Sequence, residues 1–151
     1  MKAGKMTTII REAGVQDAEV VVSLLRQLGE MEGDAEKTVL SVANVEYFLD
    51  IPGNKVLLAE VDGLVVGLLS YTVSFDLWHT GDCCLIRELI VNAKNRQQGL
   101  GGLLLQEVFH RAERSHWMEV SVSTMPENFP AIAFYKKHGM TDEAVLLERH
   151  F

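Results

Sequence analysis

The sequence predicts an α/β fold built on one mixed, mainly antiparallel central sheet, flanked by helices on both faces. Three observations point there. The chain opens with a short alternating segment followed by an amphipathic stretch at helical spacing. Its middle third then switches to long apolar, partly β-branched runs separated by tight-turn residues. After a glycine-rich turn, helical and strand patterns alternate to the end of the chain. At 151 residues the whole is sized for one domain.

Alternation in Thr7-Thr8-Ile9-Ile10-Arg11 marks a first strand. Asp17 then opens a helix carrying Val20, Val21, Leu24, Leu25 and Leu28 on one face. Gly29 and Gly33 punctuate the following loop. A second helix is expected over Glu36–Asp50, with Val39, Leu40, Val42, Val45, Phe48 and Leu49 inward, ended by Ile51-Pro52-Gly53-Asn54. Val56–Val61, Leu64–Phe75 and Cys84–Val91 read as a three-stranded meander with turns at Asp62-Gly63 and His79-Thr80-Gly81-Asp82. A helix over Leu100–Ser115, a strand over Met118–Ser123, a helix over Pro130–His138 and a last strand near Ala144–Arg149 complete the order.

Composition narrows the function classes. A hydrophobic fraction of 48% with 23% charged residues, and a slightly positive mean hydropathy, belong to a folding chain. The formal net charge of -7 makes nucleic acid a poor partner and suits a cationic one. No apolar run reaches membrane-spanning or signal-peptide length, so a cytoplasmic protein with no membrane partner is expected. Cys83 and Cys84 are adjacent. They cannot close an ordinary disulfide loop, offer no spaced metal-ligand pattern, and read as strand residues in a reducing compartment; no metal is expected.

The most informative segment is Leu89-Ile90-Val91-Asn92-Ala93-Lys94-Asn95-Arg96-Gln97-Gln98-Gly99-Leu100-Gly101-Gly102. It is an apolar strand running through a glycine loop into a helix, the architecture of an anion site. Glycines admit a phosphate close to the backbone, and the free N–H groups of the first helical turn point at its charge. Leu104 stands where a dinucleotide fingerprint needs its third glycine, and no Gly-Lys-Ser/Thr occurs, so neither familiar nucleotide loop fits. Arg96-x-x-Gly99-x-Gly101, however, closely resembles the Q/R-x-x-G-x-G/A signature of the GNAT superfamily of N-acetyltransferases. Downstream, Asn128-Phe129-Pro130-Ala131-Ile132-Ala133-Phe134-Tyr135-Lys136-Lys137-His138-Gly139-Met140 resembles that superfamily's N-x-x-A-x-x-F-Y-x-x-x-G-F element.

The resemblance covers about Asn54 to Met140 and implies an acetyl-CoA-dependent enzyme whose sheet opens between its fourth and fifth strands. It implies that the backbone of Leu89, Ile90 and Val91 binds the pantetheine arm or the reacting carbonyl, Val91 or Ile90 donating to the developing oxyanion. Arg96, Gln97, Gln98, Gly99, Leu100, Gly101 and Gly102 would cradle the pyrophosphate, and Asn128 would touch the arm from the other side. Tyr135 matches the tyrosine that protonates the departing thiolate. Glu88 is the candidate base, although relatives carry a second carboxylate where this chain has Arg87; Glu88 could equally hold the substrate or pair with Arg87 or a lysine.

The hairpin Phe75-Asp76-Leu77-Trp78-His79-Thr80-Gly81-Asp82 corresponds to acceptor-lining segments in that superfamily. Phe75, Trp78 and Asp82 would suit a small organic cation. A small-molecule amine acceptor is therefore the leading expectation, in a branch similar to spermidine/spermine acetyltransferases. A protein N-terminus or lysine acceptor, or a non-catalytic acetyl-CoA-binding module, are the alternatives. Many members of the superfamily are homodimers, and a homodimer is possible here.

Overall fold

A computed structural model describes residues 4–33 and 39–151. Five strands form one sheet in the order β1-β2-β3-β4-β5: β1 (Thr8–Glu12), β2 (Asn54–Val61), β3 (Leu64–Asp76), β4 (Gly81–Val91) and β5 (Glu119–Val122). The first four pair antiparallel, and β4 pairs parallel with β5. The β2–β3 turn is Asp62-Gly63 with both residues left-handed (φ 49° and 81°), the backbone that the twist of a two-residue hairpin requires.

Helices cover both faces, as expected. On one face α1 (Ala18–Glu32) and α2 (Val42–Asp50) bury Val21, Val22, Leu24 and Val45 against Val56, Leu58, Leu68 and Ile90. On the other, α3 (Leu100–Ser115) and α4 (Phe129–Lys137) bury Leu104, Leu105, Val108 and Tyr135 against Leu57, Leu69, Tyr71, Cys84 and Ile86. Alternate residues of each strand feed the two cores, which is why the central strands read as nearly continuous apolar runs. Arg111 of α3 ties that helix to the sheet edge, its Nη1 donating to Glu12 Oε2 at 2.7 Å and to the Tyr71 hydroxyl at 3.1 Å.

Several elements depart from expectation: Gly29 lies inside α1 and not in the loop after it, and β4 starts at Gly81 and not Cys84, which takes Gly81 and Asp82 from the expected turn into the strand. The second helix starts at Val42, not Glu36. Ser41 and Asn44 cap it reciprocally, Asn44 N–H donating to Ser41 Oγ and Ser41 N–H to Asn44 Oδ1, so the first turn is satisfied there and Val39 and Leu40 precede it. Residues 36–38 of the expected helix lie outside the described residues. β5 is trimmed to Glu119–Val122 at both ends. The last strand, Ala144–Arg149, does not form. After α4 the chain turns at Gly139 (φ 93°) and never returns to the edge of β5, so Val145, Leu146 and Leu147 keep a strand-like sequence with no ladder to join and stay exposed. Among the described residues, no helix is long and apolar enough to cross a membrane.

Candidate acyl-transfer site

The parallel pairing of β4 with β5 runs only from Cys83–Glu119 to Ile86–Val122; β5 stops there while β4 continues to Val91. One side of β4 is thus unpaired over its last five residues. A bulge at the same place controls what that edge presents: Ser70 opposes Glu88 but Tyr71 opposes Ile86, leaving Arg87 as the extra residue. Asn92 N–H donates to Val66 O at 2.7 Å and Glu88 N–H to Ser70 Oγ at 3.2 Å. Backbone direction alternates along a strand, so Glu88, Ile90 and Asn92 face β3 while Leu89 and Val91 face the gap. Leu89 and Val91 therefore turn their backbone groups to the unpaired side of β4. The amide of Ile90 does not; of the two suggested oxyanion donors, only Val91 N–H is open to the gap.

The glycine loop follows directly. Arg96 Nε donates to Val91 O at 3.0 Å, folding the loop back onto β4, and Arg96 Nη2 reaches Met31 Sδ of α1 at 2.9 Å. Gln97 (φ 62°) and Gly99 (φ 77°) are left-handed, and Gly99 caps α3 with no side-chain hydrogen bond. The first-turn amides from Gln98 to Gly102 are thus left to whatever sits above them. The three glycines have different reasons to be glycine. Gly99 needs its φ. A Cβ on Gly102 would lie 2.9 Å from His138 Nε2, so that residue admits the α4 side chain. A Cβ on Gly101 would meet only the Phe134 ring at 3.5 and 3.6 Å, ordinary contact, so packing within the fold does not demand glycine there.

Tyr135 closes the site from α4. It packs among Cys84, Ile86, Leu89 and Leu104 and stands edge-on to Phe134 at 5.1 Å. Burial pushes its phenol up to about 12, so the proton stays on oxygen throughout the neutral range. No described residue hydrogen-bonds that oxygen. Glu88 lies on the opposite face: its Oε2 accepts the hydroxyl of Ser70, which is 3% exposed between Leu69 and Tyr71 and points to the α1–α2 side. The alternative pairing of Glu88 with Arg87 or a lysine is not seen among the described residues; Arg87 Nε instead donates to Thr72 Oγ1 at 3.4 Å.

Residues 25–140 match the acetyltransferase (GNAT) family. The chain belongs to that family. A curated relative, the uncharacterized protein YdhI of Bacillus subtilis (strain 168), is 34% identical over 83 residues, which are 55% of this chain and 47% of that protein. The match thus spans about half the length of that relative. Among solved structures, an aminoglycoside acetyltransferase, meta-AAC0020, from an uncultured soil metagenomic sample and in complex with sisomicin, shares the fold at a TM-score of 0.82 with 17% identity over 95% of both chains. Aminoglycoside N-acetyltransferase AAC(6')-Iy in complex with CoA does so at 0.81, with 20% identity over 99% of both chains.

Two other expected GNAT positions take more particular forms. Asn128 uses its Oδ1 to cap α4, accepting Ala131 N–H at 3.3 Å, so only its amide NH₂ is free. In the hairpin, Phe75 opposes Asp82, and Phe75 and Trp78 are 64% and 90% exposed, with no aromatic partner among the described residues. Ser70 and Phe134 are site residues that sequence reasoning missed. A lone serine inside Leu68-Leu69-Ser70-Tyr71, an otherwise buried run, was the available signal, since a buried hydroxyl requires a partner.

Proposed function

We propose that residues 1–151 act as one acetyl-CoA-dependent N-acetyltransferase domain, and that its acceptor is the amine of a small cationic molecule. The observation that carries this reading is the unpaired edge of β4 at Leu89 and Val91, lying against the first turn of α3 and beside Tyr135. The open Cβ position at Gly101 and the free first-turn amides fit a pyrophosphate. The donor supplies an activated acetyl thioester; the chain's own residues orient it and move protons.

In this reading the backbone N–H and C=O of Leu89 hold the pantetheine arm along the strand edge, with Asn128 NH₂ facing it, and Val91 N–H is kept for the thioester carbonyl. Glu88, on the far side of β4 from Tyr135, takes one proton from the arriving ammonium, directly or through water. The freed lone pair forms the C–N bond at the carbonyl, and Val91 N–H stabilises the oxyanion. As the C–S bond breaks, the sulfur takes the Tyr135 proton, and the second amine proton restores the phenol. One proton leaves to solvent through Glu88. An acid and a base on opposite faces of the gap let donor and acceptor approach from opposite sides.

A cationic acceptor is supported by the net charge of -7, by the exposed Phe75, Trp78 and Asp82, and by the sisomicin complex of the meta-AAC0020 enzyme. A cytoplasmic setting agrees with the two free cysteines. The exposed apolar tail at Val145–Leu147 is a surface for a homodimer. The test is chromatographic detection of CoA released from acetyl-CoA across polyamines, aminoglycosides, amino acids and short peptides. Chromatography is chosen because Cys83 is only part-buried and would react with thiol dyes. Release dependent on a small amine is expected; release with peptides alone makes the acceptor a protein, and cofactor binding without turnover makes this a binding module.

A further inference from the structure

We propose that the corner of the sheet formed by the β3–β4 hairpin and the start of β5 is a zinc-type metal site, with Asp76, His79 and Cys83 as ligands and Glu119 orienting the histidine. The inference does not rest on the transferase reading. Asp76 ends β3, His79 lies in the turn, and Cys83 is the third residue of β4, facing Ser74 across the ladder and neighbouring Glu119 of β5. One donor atom from each of Asp76, His79 and Cys83 lies within 4.8 Å of the other two. The spacing Asp-x-x-His-x-x-x-Cys is local, yet only the hairpin's fold brings the thiol back to the turn.

A second observation points the same way. The imidazole has a carboxylate on each nitrogen: Asp76 Oδ1 at 2.8 Å from Nδ1 and Glu119 Oε2 at 3.4 Å from Nε2. A metal-bound histidine ordinarily presents its second nitrogen to a carboxylate, which sets the tautomer and raises the basicity of the first. Glu119 occupies that position when Nδ1 faces the ion. The turn is also held in place, since Asp76 Oδ1 accepts His79 N–H at 2.8 Å.

The donor set selects the ion. Thiolate, imidazole and a single carboxylate suit zinc, whereas magnesium and calcium require oxygen cages. Zn–S of about 2.3 Å and Zn–N or Zn–O of about 2.0–2.1 Å place tetrahedral ligand atoms about 3.3–3.8 Å apart, so these donors need to shift by about 1 Å or less. All three side chains are part-buried and reachable from solvent. On binding, the thiol proton leaves to solvent, the imidazole proton resides on Nε2 against Glu119, and the fourth position is left to water.

The test uses the full chain, freed of any histidine tag and kept reduced. Co²⁺ titration is expected to give a thiolate-to-cobalt charge-transfer band saturating at one equivalent, and Zn²⁺ should abolish that band and raise the melting temperature. Cys83→Ser and His79→Ala should each remove the band while remaining folded by circular dichroism, and Glu119→Gln should weaken Co²⁺ binding about 10- to 100-fold. Absence of the charge-transfer band in the parent protein overturns the site. So does a Co²⁺ signal that survives both Cys83→Ser and His79→Ala.

Discussion

Replacing Gly101 with Asp separates a ligand-binding glycine from a packing glycine, because the two roles predict opposite signs. Gly101 is the second residue of α3, with its Cβ position open apart from ordinary contact with Phe134. In the free protein, a carboxylate in the first helical turn interacts favourably with the helix dipole, by about 0.3–1 kcal/mol, and loss of glycine's backbone freedom adds a similar amount. The melting temperature should therefore hold or rise. In the proposed complex, the same carboxylate would be set against the pyrophosphate, and a separation of about 4 Å serves for an order-of-magnitude figure. One like-charge pair at that distance costs roughly 4 kcal/mol at an effective dielectric constant of about 20, a loss of about 10³-fold in acetyl-CoA affinity. Isothermal titration with acetyl-CoA and thermal denaturation of the same sample give both numbers, with Gly101→Ala as the uncharged control. Affinity within a few-fold of the parent would refute the cradle, and a lower melting temperature accompanying the loss would return Gly101 to a packing role.

Tyr135→Phe removes a hydroxyl that no described residue hydrogen-bonds, so stability should change little while kcat falls about 10²- to 10⁴-fold with an unchanged KM for acetyl-CoA; equal turnover in steady-state assays excludes the acid role. Ser70→Ala frees the Glu88 carboxylate from its clamp and should lower kcat about 10-fold, since hydrogen bonds to charged groups contribute ~1.5–3 kcal/mol, with Ser70→Thr restoring part of the rate; full activity in both Ser70→Ala and Glu88→Gln removes Glu88 from the mechanism. Burial raises the Cys84 thiol from 9.0 to about 12 and the Tyr135 phenol from 10.0 to about 12. Both groups hold their protons more tightly folded than unfolded, so stability should be level below pH 9 and fall as pH rises from there towards 12. Melting temperatures recorded across that range check the sign, and a flat profile would contradict it.

Local chemistry was legible wherever one segment carried its own instructions. The bounds of α3 follow from Gly99 ahead of Leu100, Leu104, Leu105 and Val108, which is a cap and an apolar face within one stretch. The meander was legible through Asp62-Gly63. What escaped the sequence depends on partners distant in the chain. Ala144–Arg149 has the short apolar run of a strand, but an apolar run supplies no ladder. Ser70 is a polar gap in an apolar run, and only the ladder of β3 with β4 sets Glu88 opposite it. The bulge itself left a trace: Arg87-Glu88 puts two polar residues in succession where strict alternation would put one, with Ile86 and Leu89 then facing the same core.

That displaced phase explains why the site sits where it does. Were β4 to alternate regularly through Arg87 with no bulge, Ile90 would face the α3–α4 core with Ile86, and Glu88 would be directed into that core as well, an uncompensated charge among Leu104, Leu105 and Tyr135. With it, Glu88 reaches Ser70 on the other face, and Leu89 rejoins the core beside Tyr135. The same bulge coincides with the end of the β4–β5 pairing, so the backbone of Leu89 and the N–H of Val91 are left without a strand partner near the middle of the sheet. An open sheet edge invites indiscriminate pairing unless something governs access to it. Arg96 folds the loop ahead of Gly99 back onto Val91 O, so what remains on offer is the backbone of Leu89, the N–H of Val91 and a first turn of α3 with no side-chain cap; under the function proposed above, these call for a ligand that brings its own amides for the edge and a negative charge for the helix. An amide-bearing arm ending in a pyrophosphate satisfies both demands at once.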